Sequence, residues 1–258
     1  MITCRLKGGL GNMMFQIAAT EWMSHKSGFK SFYHNLDQQI HKLNTEQRFN
    51  PKLKHAHEYL NIFKNFKWPK TGSFKQTVGV PFIYTPLKVI DNTCYNGYFQ
   101  SEKYFNEEFV QKLFEPSDII LKKIKEKYGN ITDNSCSIHV RRGDYLKLSH
   151  KHPVKDMDYF NKAMDIIKSE KYIIFSDDIE WCKNNFKGSQ YIFIEDVDYI
   201  EIFLQSMCSH NIISNSSFSW WGAYLNKNKN KKVVAPLVWF ANSKEDARDI
   251  VPAKWIKI

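Results

Sequence analysis

Paired cysteines, long apolar runs and the common nucleotide-binding signatures are missing from this sequence, and each absence removes a class of protein. The five cysteines, at positions 4, 94, 136, 182 and 208, are odd in number and form no close pair. Neither a zinc site nor a disulfide framework is signalled, and reduced, mostly buried thiols are expected. No segment approaches the roughly 18 consecutive apolar residues of a membrane span. The opening Met1-Ile2-Thr3-Cys4-Arg5-Leu6-Lys7 lacks the apolar run of a signal peptide, so a cytoplasmic chain is expected. There is no Walker loop and no Rossmann glycine fingerprint. RRM, KH and zinc-finger patterns are also absent. The 37 Lys and Arg against 27 Asp and Glu give a formal charge of +10, which predicts attraction to something anionic. Because the basic residues are dispersed, a nucleotide or an anionic membrane surface is a better partner than nucleic acid.

What is present is enough for a real core: 258 residues, 43% apolar and 15% aromatic, sized for one large domain or two small ones. Ile2 to Leu6 reads as a strand that enters Lys7-Gly8-Gly9-Leu10-Gly11-Asn12 ahead of a helix from about Met13 to Ser27. Three glycines in four positions let backbone amides approach a ligand, and a following helix start favours negative charge. On that helix Met14, Ala18 and Trp22 share a face and read as core. Positions 30 to 89 are poorly patterned and interrupted by Pro51, Pro69, Pro81 and Pro86; His55 and His57 within them receive no role.

A short strand and turn are expected over Cys94–Gln100, then a helix capped by Ser101 and running to about Phe114. A second helix begins at Ser117, with Ile120, Leu121 and Ile124 as its apolar stripe and Gly129 at its end. The polar segment 130 to 135 is the candidate junction between domains 1–130 and 131–258, the last segment being a candidate to pack back on the first. Beyond it strands near 136–140, 172–175, 191–194, 210–213 and 232–235 alternate with helices near 156–169, 178–186, 198–207 and from Phe218. This alternation predicts a parallel sheet with helices on its faces. Ligands bind such sheets at the carboxyl ends of strands, so His139–Tyr145, Ser176–Asp178 and Ser214–Ser219 should line one crevice.

The first of these loops carries the most chemistry. In Ser137-Ile138-His139-Val140-Arg141-Arg142-Gly143-Asp144-Tyr145, adjacent arginines leave a buried strand and can fan around one anion. Guanidinium groups make paired bonds to phosphate oxygens, which suggests diphosphate recognition. The alternative is a surface turn in which Asp144 pairs one arginine and the other is solvated. Asp177 and Asp178 open a helix, where capping is their first role. One of them could still accept from a purine ring N–H and amino group. Ser216, Ser217 and Ser219 start a helix suited to a phosphate. Trp220 and Trp221 read as core rather than as a sugar platform. The run Lys227–Lys232 reads as a solvated connection with a possible weak attraction to anionic lipid.

Taken together, Gly8 through Gln16, His139 through Tyr145, Ser176 through Asp178 and Asn215 through Ala223 resemble the bacterial α-1,2-fucosyltransferases of glycosyltransferase family 11. The order and spacing match across nearly the whole chain. Two departures stand out, Met13 where the family usually has Gln and Ile17 where Tyr is common; they are expected to touch acceptor packing and not the donor site. The resemblance implies an α/β fold of GT-B type, two Rossmann-like domains facing a central cleft. It implies an inverting transfer of L-fucose from GDP-fucose to the 2-hydroxyl of a galactose-terminated, lipid-linked glycan acceptor at the inner membrane face. No cofactor and no metal are expected. It casts Arg141 as the catalytic phosphate-binding arginine and His139 as a contact of guanine or ribose. Gly9, Gly11, Asn12, Arg142, Asp177, Asp178, Ser216, Ser217 and Ser219 complete the donor site. Asp144 is the candidate general base, with His150 and His152 as rivals. Another GDP-deoxyhexose or another linkage is the alternative reading.

Overall fold

The computed structural model describes residues 1–46, 57–59, 63–65, 72–241 and 246–258. They form two compact units, one of Met1–Asp118 with Asp246–Pro252 and one of Ile119–Glu245 with Ala253–Ile258. His55, which was given no role, lies outside the described residues, and His57 sits near Glu58 on the surface.

In the first unit β1 (Ile2–Cys4) leads into α1 (Leu10–Ser27), followed by β2 (Ser31–Phe32), α2 (Leu36–Glu46), β3 (Gln76–Gly79), β4 (Thr93–Asn96) and α3 (Glu107–Leu113). The four strands pair in parallel in the order β2-β1-β4-β3. β1 is shorter than expected and α1 begins three residues earlier, because Gly9 takes the cap position and its carbonyl accepts from Met13 at 3.1 Å. Gly28 ends α1 at φ 77, a left-handed conformation that glycine adopts at no steric cost. Met14 and Ala18 are fully buried, as are Met13 and Ile17 to within 2%. Trp22 is only half-buried and lies edge-on to Phe109 of α3.

The single helix expected from Ser101 to Phe114 is two pieces. Ser101 caps one short turn, Glu102–Tyr104, and the chain then extends at Phe105 (φ −154, ψ 170). Asn106 starts α3 afresh by accepting from the Phe109 N–H at 3.0 Å. Phe105, 6% exposed, is drawn into the core beside Phe15, and that pull breaks the helical path. The unpatterned stretch contains β2, α2 and β3 among its described residues; two-to-four-residue strands are too short to show a period.

The second unit follows α4 (Asp118–Tyr128), whose stripe is narrower than expected: Ile120 and Ile124 are buried but Leu121 is 37% exposed. Its elements are β5 (Ser135–Val140), α5 (Met157–Ile167), β6 (Lys171–Ser176), α6 (Ile179–Asn185), β7 (Tyr191–Ile194), α7 (Asp198–Met207), β8 (His210–Ile212), α8 (Ser217–Tyr224), β9 (Val233–Ala235) and an unexpected β10 (Ile256–Lys257). All pair in parallel in the order β10-β9-β8-β5-β6-β7. Read from its first strand, this is the doubly wound Rossmann order, which reverses direction between β5 and β8. β5 and β6 are buried along nearly their whole length, as expected for parallel strands covered on both faces. Asp156 and Asp178 cap α5 and α6 through Tyr159 N–H and Trp181 N–H.

Trp220 and Trp221 are both fully buried, as core residues should be. Trp220 stacks on Tyr224 at 4.4 Å and meets Trp255 at 5.5 Å, so the last segment of the chain is pinned against α8. Lys231, expected to be solvated, instead donates to the Ala223 carbonyl at the end of α8 at 2.9 Å, complementing the helix terminus. All five cysteines are free and buried. Among the described residues no helix is long and apolar enough to cross a membrane. Truncating the buried Trp220 to alanine should lower unfolding stability by ~3–5 kcal/mol in a urea melt. Trp22→Ala at the half-buried position should cost clearly less.

Candidate functional site

Three loops leave the carboxyl ends of the adjacent strands β8, β5 and β6, and hydrogen bonds tie them together. Arg141 N–H donates to Ser214 Oγ at 3.2 Å, and Ser214 Oγ donates to the His139 carbonyl at 2.6 Å. Arg142 N–H donates to Asp177 Oδ1 at 2.9 Å. Tyr145 O–H donates to the Asn215 carbonyl at 3.1 Å. The arginine turn is thereby held on both sides at the point where strand order reverses, the place at which doubly wound sheets bind ligands.

Arg141 reaches two carboxylates, Asp177 Oδ2 at 2.9 Å and Asp144 Oδ1 at 2.6 Å. Burial opposes its charge, but Asp177 and Asp144 outweigh it and hold the guanidinium above its ordinary pKa. A guanidinium has five N–H donors, so N–H groups remain for a ligand after these two pairs. Arg142 pairs through Nε with Asp178 Oδ2 at 3.0 Å and lies over the Trp181 ring at 4.2 Å, a cation–π contact. This second arginine braces the loop. Gly143 is required by proximity: a Cβ there would fall on Asp177 Oδ2.

Asp177 and Asp178 are both committed to protein partners. Asp177 accepts from Arg142 N–H and pairs with Arg141, while Asp178 caps α6 with one oxygen and holds Arg142 with the other. Their geometry is that of residues that position arginines. Among the described residues no three His, Cys, Asp or Glu side chains cluster in a way that could hold a metal ion. Asp144 is 56% exposed. His139 is 5% exposed, inside β5, and its ring packs on Phe218 at 5.3 Å.

Ser216 caps α8 by accepting from Phe218 N–H at 3.3 Å. Ser217 is half-buried at the first position of that helix. Ser219 is fully buried and its hydroxyl turns back to the Ser214 and Ser216 carbonyls, so it shapes the turn. Of the histidines proposed as rival bases, His150 is exposed and His152 stacks on Tyr145 at 4.5 Å and meets Phe240 at 5.5 Å. In the first unit Gly9 and Asn12 stand at the start of α1. Gly11 is buried in that helix, and Asn12 Oδ1 accepts from Gln100 at 2.6 Å. A Cβ on Gly9 would meet nothing within 4 Å, so the folded chain itself does not demand glycine there.

Two residues of the expected crevice loops, Ser214 and Tyr145, gain roles that the sequence reading did not assign, and Trp181 escaped it altogether. Ser214 ties β5 to β8, Trp181 supports Arg142, and Tyr145 lies beneath Arg141 at 5.1 Å while bonding the serine loop. Burial is the largest influence on the Tyr145 phenol, which is pushed up to about 12 and stays a donor at neutral pH. Tyr145 was at least visible as the last residue of the arginine motif. Trp181 carried no signal except its position one turn into a helix opened by Asp178.

The sheet order, with polar loops gathered at its switch point, defines a doubly wound α/β protein of the Rossmann class. The chain belongs to glycosyl transferase family 11, whose family model matches residues 1–258. It is 32% identical to an alpha-1,2-colitosyltransferase of Escherichia coli, an alignment covering 100% of this chain and 99% of that protein. It is 28% identical to the O-antigen biosynthesis glycosyltransferase WbnK of Escherichia coli over 100% of both. Human galactoside alpha-(1,2)-fucosyltransferase 1 is 34% identical over 34% of this chain. Among solved structures, fucosyltransferase NodZ from Bradyrhizobium matches with a TM-score of 0.54 at 13% identity, covering 86% of this chain and 90% of that one. The fold is therefore the GT-B-like α/β architecture of the fucosyltransferases. Gly143→Ala should displace the Asp177 carboxylate and lower stability by ~1–3 kcal/mol, the usual cost of overpacking; a thermal melt reads it directly.

Proposed function

We propose that this glycosyltransferase moves L-fucose from GDP-β-L-fucose to the 2-hydroxyl of a galactose residue in a surface glycan, inverting the anomeric centre. The observation that carries this reading is Arg141, presented with spare donors at the strand-order reversal of a Rossmann sheet. The donor diphosphate would lie between that guanidinium and the start of α8, where Ser216, Ser217 and the first backbone amides favour negative charge. The acceptor oxygen attacks C1 of the sugar, the bond from C1 to the β-phosphate oxygen breaks, and the bonding electrons leave with GDP. Arg141 stabilises the charge that grows on the phosphate, work that a metal ion performs elsewhere. A metal-free reaction suits the acidic pair, whose four oxygens already have protein partners.

The acceptor proton passes to a base, and Asp144 is the carboxylate nearest the arginine turn. It is paired with Arg141 and becomes available when a diphosphate takes that arginine over. The acceptor is read as a lipid-linked intermediate met at the inner membrane face by a cytoplasmic enzyme with no more than peripheral membrane contact.

A second donor is supported by a specific finding, the similarity to a colitosyltransferase over the full chain. Colitose is fucose without its 3-hydroxyl, so the same site could take either sugar. Calorimetric titration of GDP-fucose, GDP, UDP and ADP in EDTA, followed by linkage analysis of product from GDP-fucose and GDP-colitose, tests both readings. Guanine-selective binding that survives EDTA supports the first; turnover only with GDP-colitose replaces it with the second; failure to bind any guanine nucleotide rejects both. Arg141→Ala should lower kcat ~100–1,000-fold, and Arg141→Lys should restore little because a lysine cannot make the forked contact. Asp144→Asn should lower turnover ~100-fold or more if that carboxylate is the base. Turnover retained in Asp144→Asn but lost in His152→Ala would move the role to His152.

A further inference from the structure

Around the arginine turn, two cations face three carboxylates: Arg141 and Arg142 against Asp144, Asp177 and Asp178. An approaching diphosphate would meet a turn whose positive charge is already matched. Arg141 keeps spare N–H donors, but its charge is free for a phosphate only when a carboxylate leaves, and the two that hold it differ in their freedom to do so.

Asp177 is 13% exposed, its second oxygen accepts from Arg142 N–H, and it presses against Gly143. Removing it from Arg141 would also strip the backbone of an acceptor. Asp144 is 56% exposed and touches Arg141 through a single oxygen at 2.6 Å. It stands at the start of one short helical turn, Asp144–Leu146, whose bonds run from Lys147 and Leu148 N–H to its backbone carbonyl. That turn does not need the carboxylate, which can swing into water without breaking a backbone contact.

We propose that Asp144 is an exchangeable counter-ion: it pairs with Arg141 and gives up its place to a phosphate oxygen of the GDP-sugar, while Asp177 stays as the permanent brace. The proposal rests on the reading of this site as a GDP-sugar site. It explains how a guanidinium at the rim of the sheet is kept in one orientation before substrate arrives, and it sets a cost on donor binding equal to the loss of one exposed ion pair. An occupied counter-ion lowers apparent affinity by the fraction of protein in which Arg141 is free.

The test is the GDP affinity of the intact protein by calorimetry in EDTA, for the wild type and for Asp144→Asn, Asp177→Asn, Asp178→Asn and Arg141→Ala. Asp144→Asn should bind GDP about two- to fivefold more tightly, the range set by exposed ion pairs. The gain should shrink at 1 M salt, where the pair it removes is screened. Asp177→Asn should bind more weakly, since it loosens the turn that aims Arg141. Asp178→Asn removes the same charge from Arg142 and should give no gain. Equal tightening in all three carboxylate variants would overturn the proposal in favour of a general field effect. So would unchanged or weaker binding by Asp144→Asn alongside loss of binding in Arg141→Ala, and in that case the donor reading would stand. A wild type that binds no guanine nucleotide would remove the donor reading and the counter-ion role together.

Discussion

The arrangement of the second unit turns on one half-buried carboxylate at the end of β6. Asp177 receives the N–H of Arg142 with one oxygen and the guanidinium of Arg141 with the other, and leaves no room for a side chain at Gly143. A charge withdrawn from water must be paired and hydrogen-bonded or it destabilises the fold, and Asp177 meets that condition only in this geometry. Everything at the turn follows. Arg141 is held to Asp177, Arg142 is turned toward Asp178 and Trp181, and Tyr145 comes to rest against both Arg141 and the serine loop.

Topology supplies the second constraint. Crossovers between parallel strands keep one hand, so β6 and β7 build outward on one side of β5 and β8 to β10 on the other. The loops after β5 and β8 must part to reach helices on opposite sides, and the opening between them is bridged by Ser214. The start of α8 is fixed there because the rest of that helix is anchored by Trp220, Trp221 and Tyr224 in the core. An aromatic motif that could pass for a sugar platform thus serves the site indirectly, by holding a helix terminus still.

The first unit secures its glycine loop differently, with side-chain amides instead of ions. Asn35 both accepts from Leu6 N–H and donates to the Leu6 carbonyl, Gln16 does the same for Lys7, and Gln39 donates to the Gly8 carbonyl. Each amide satisfies backbone groups that no strand or helix partner reaches. The loop is held by amides and not by ion pairs, and its own Lys7 donates to Asn96 at 3.1 Å and lies over Tyr98 at 4.4 Å.

Local chemistry made much of this legible in advance. Buried parallel strands announce themselves as apolar runs such as Tyr172 to Phe175, aspartates at 156 and 178 signal helix starts, and a glycine after two arginines signals a turn at a strand end. The three site loops, the family and the burial of the tandem tryptophans could all be read from such short-range patterns. Strand order, the edge strands β2, β3 and β10, the break at Phe105 and the partners of each arginine could not. Arg142 meets Asp177 across 35 residues and Arg141 meets Ser214 across 73. Such pairings depend on which strands become neighbours. A sequence determines by itself what each segment tends to be, through propensity and period. Only packing of the whole sheet decides which carboxylate faces which guanidinium, because a charge chooses its partner by distance and burial, and neither exists until the strands are side by side.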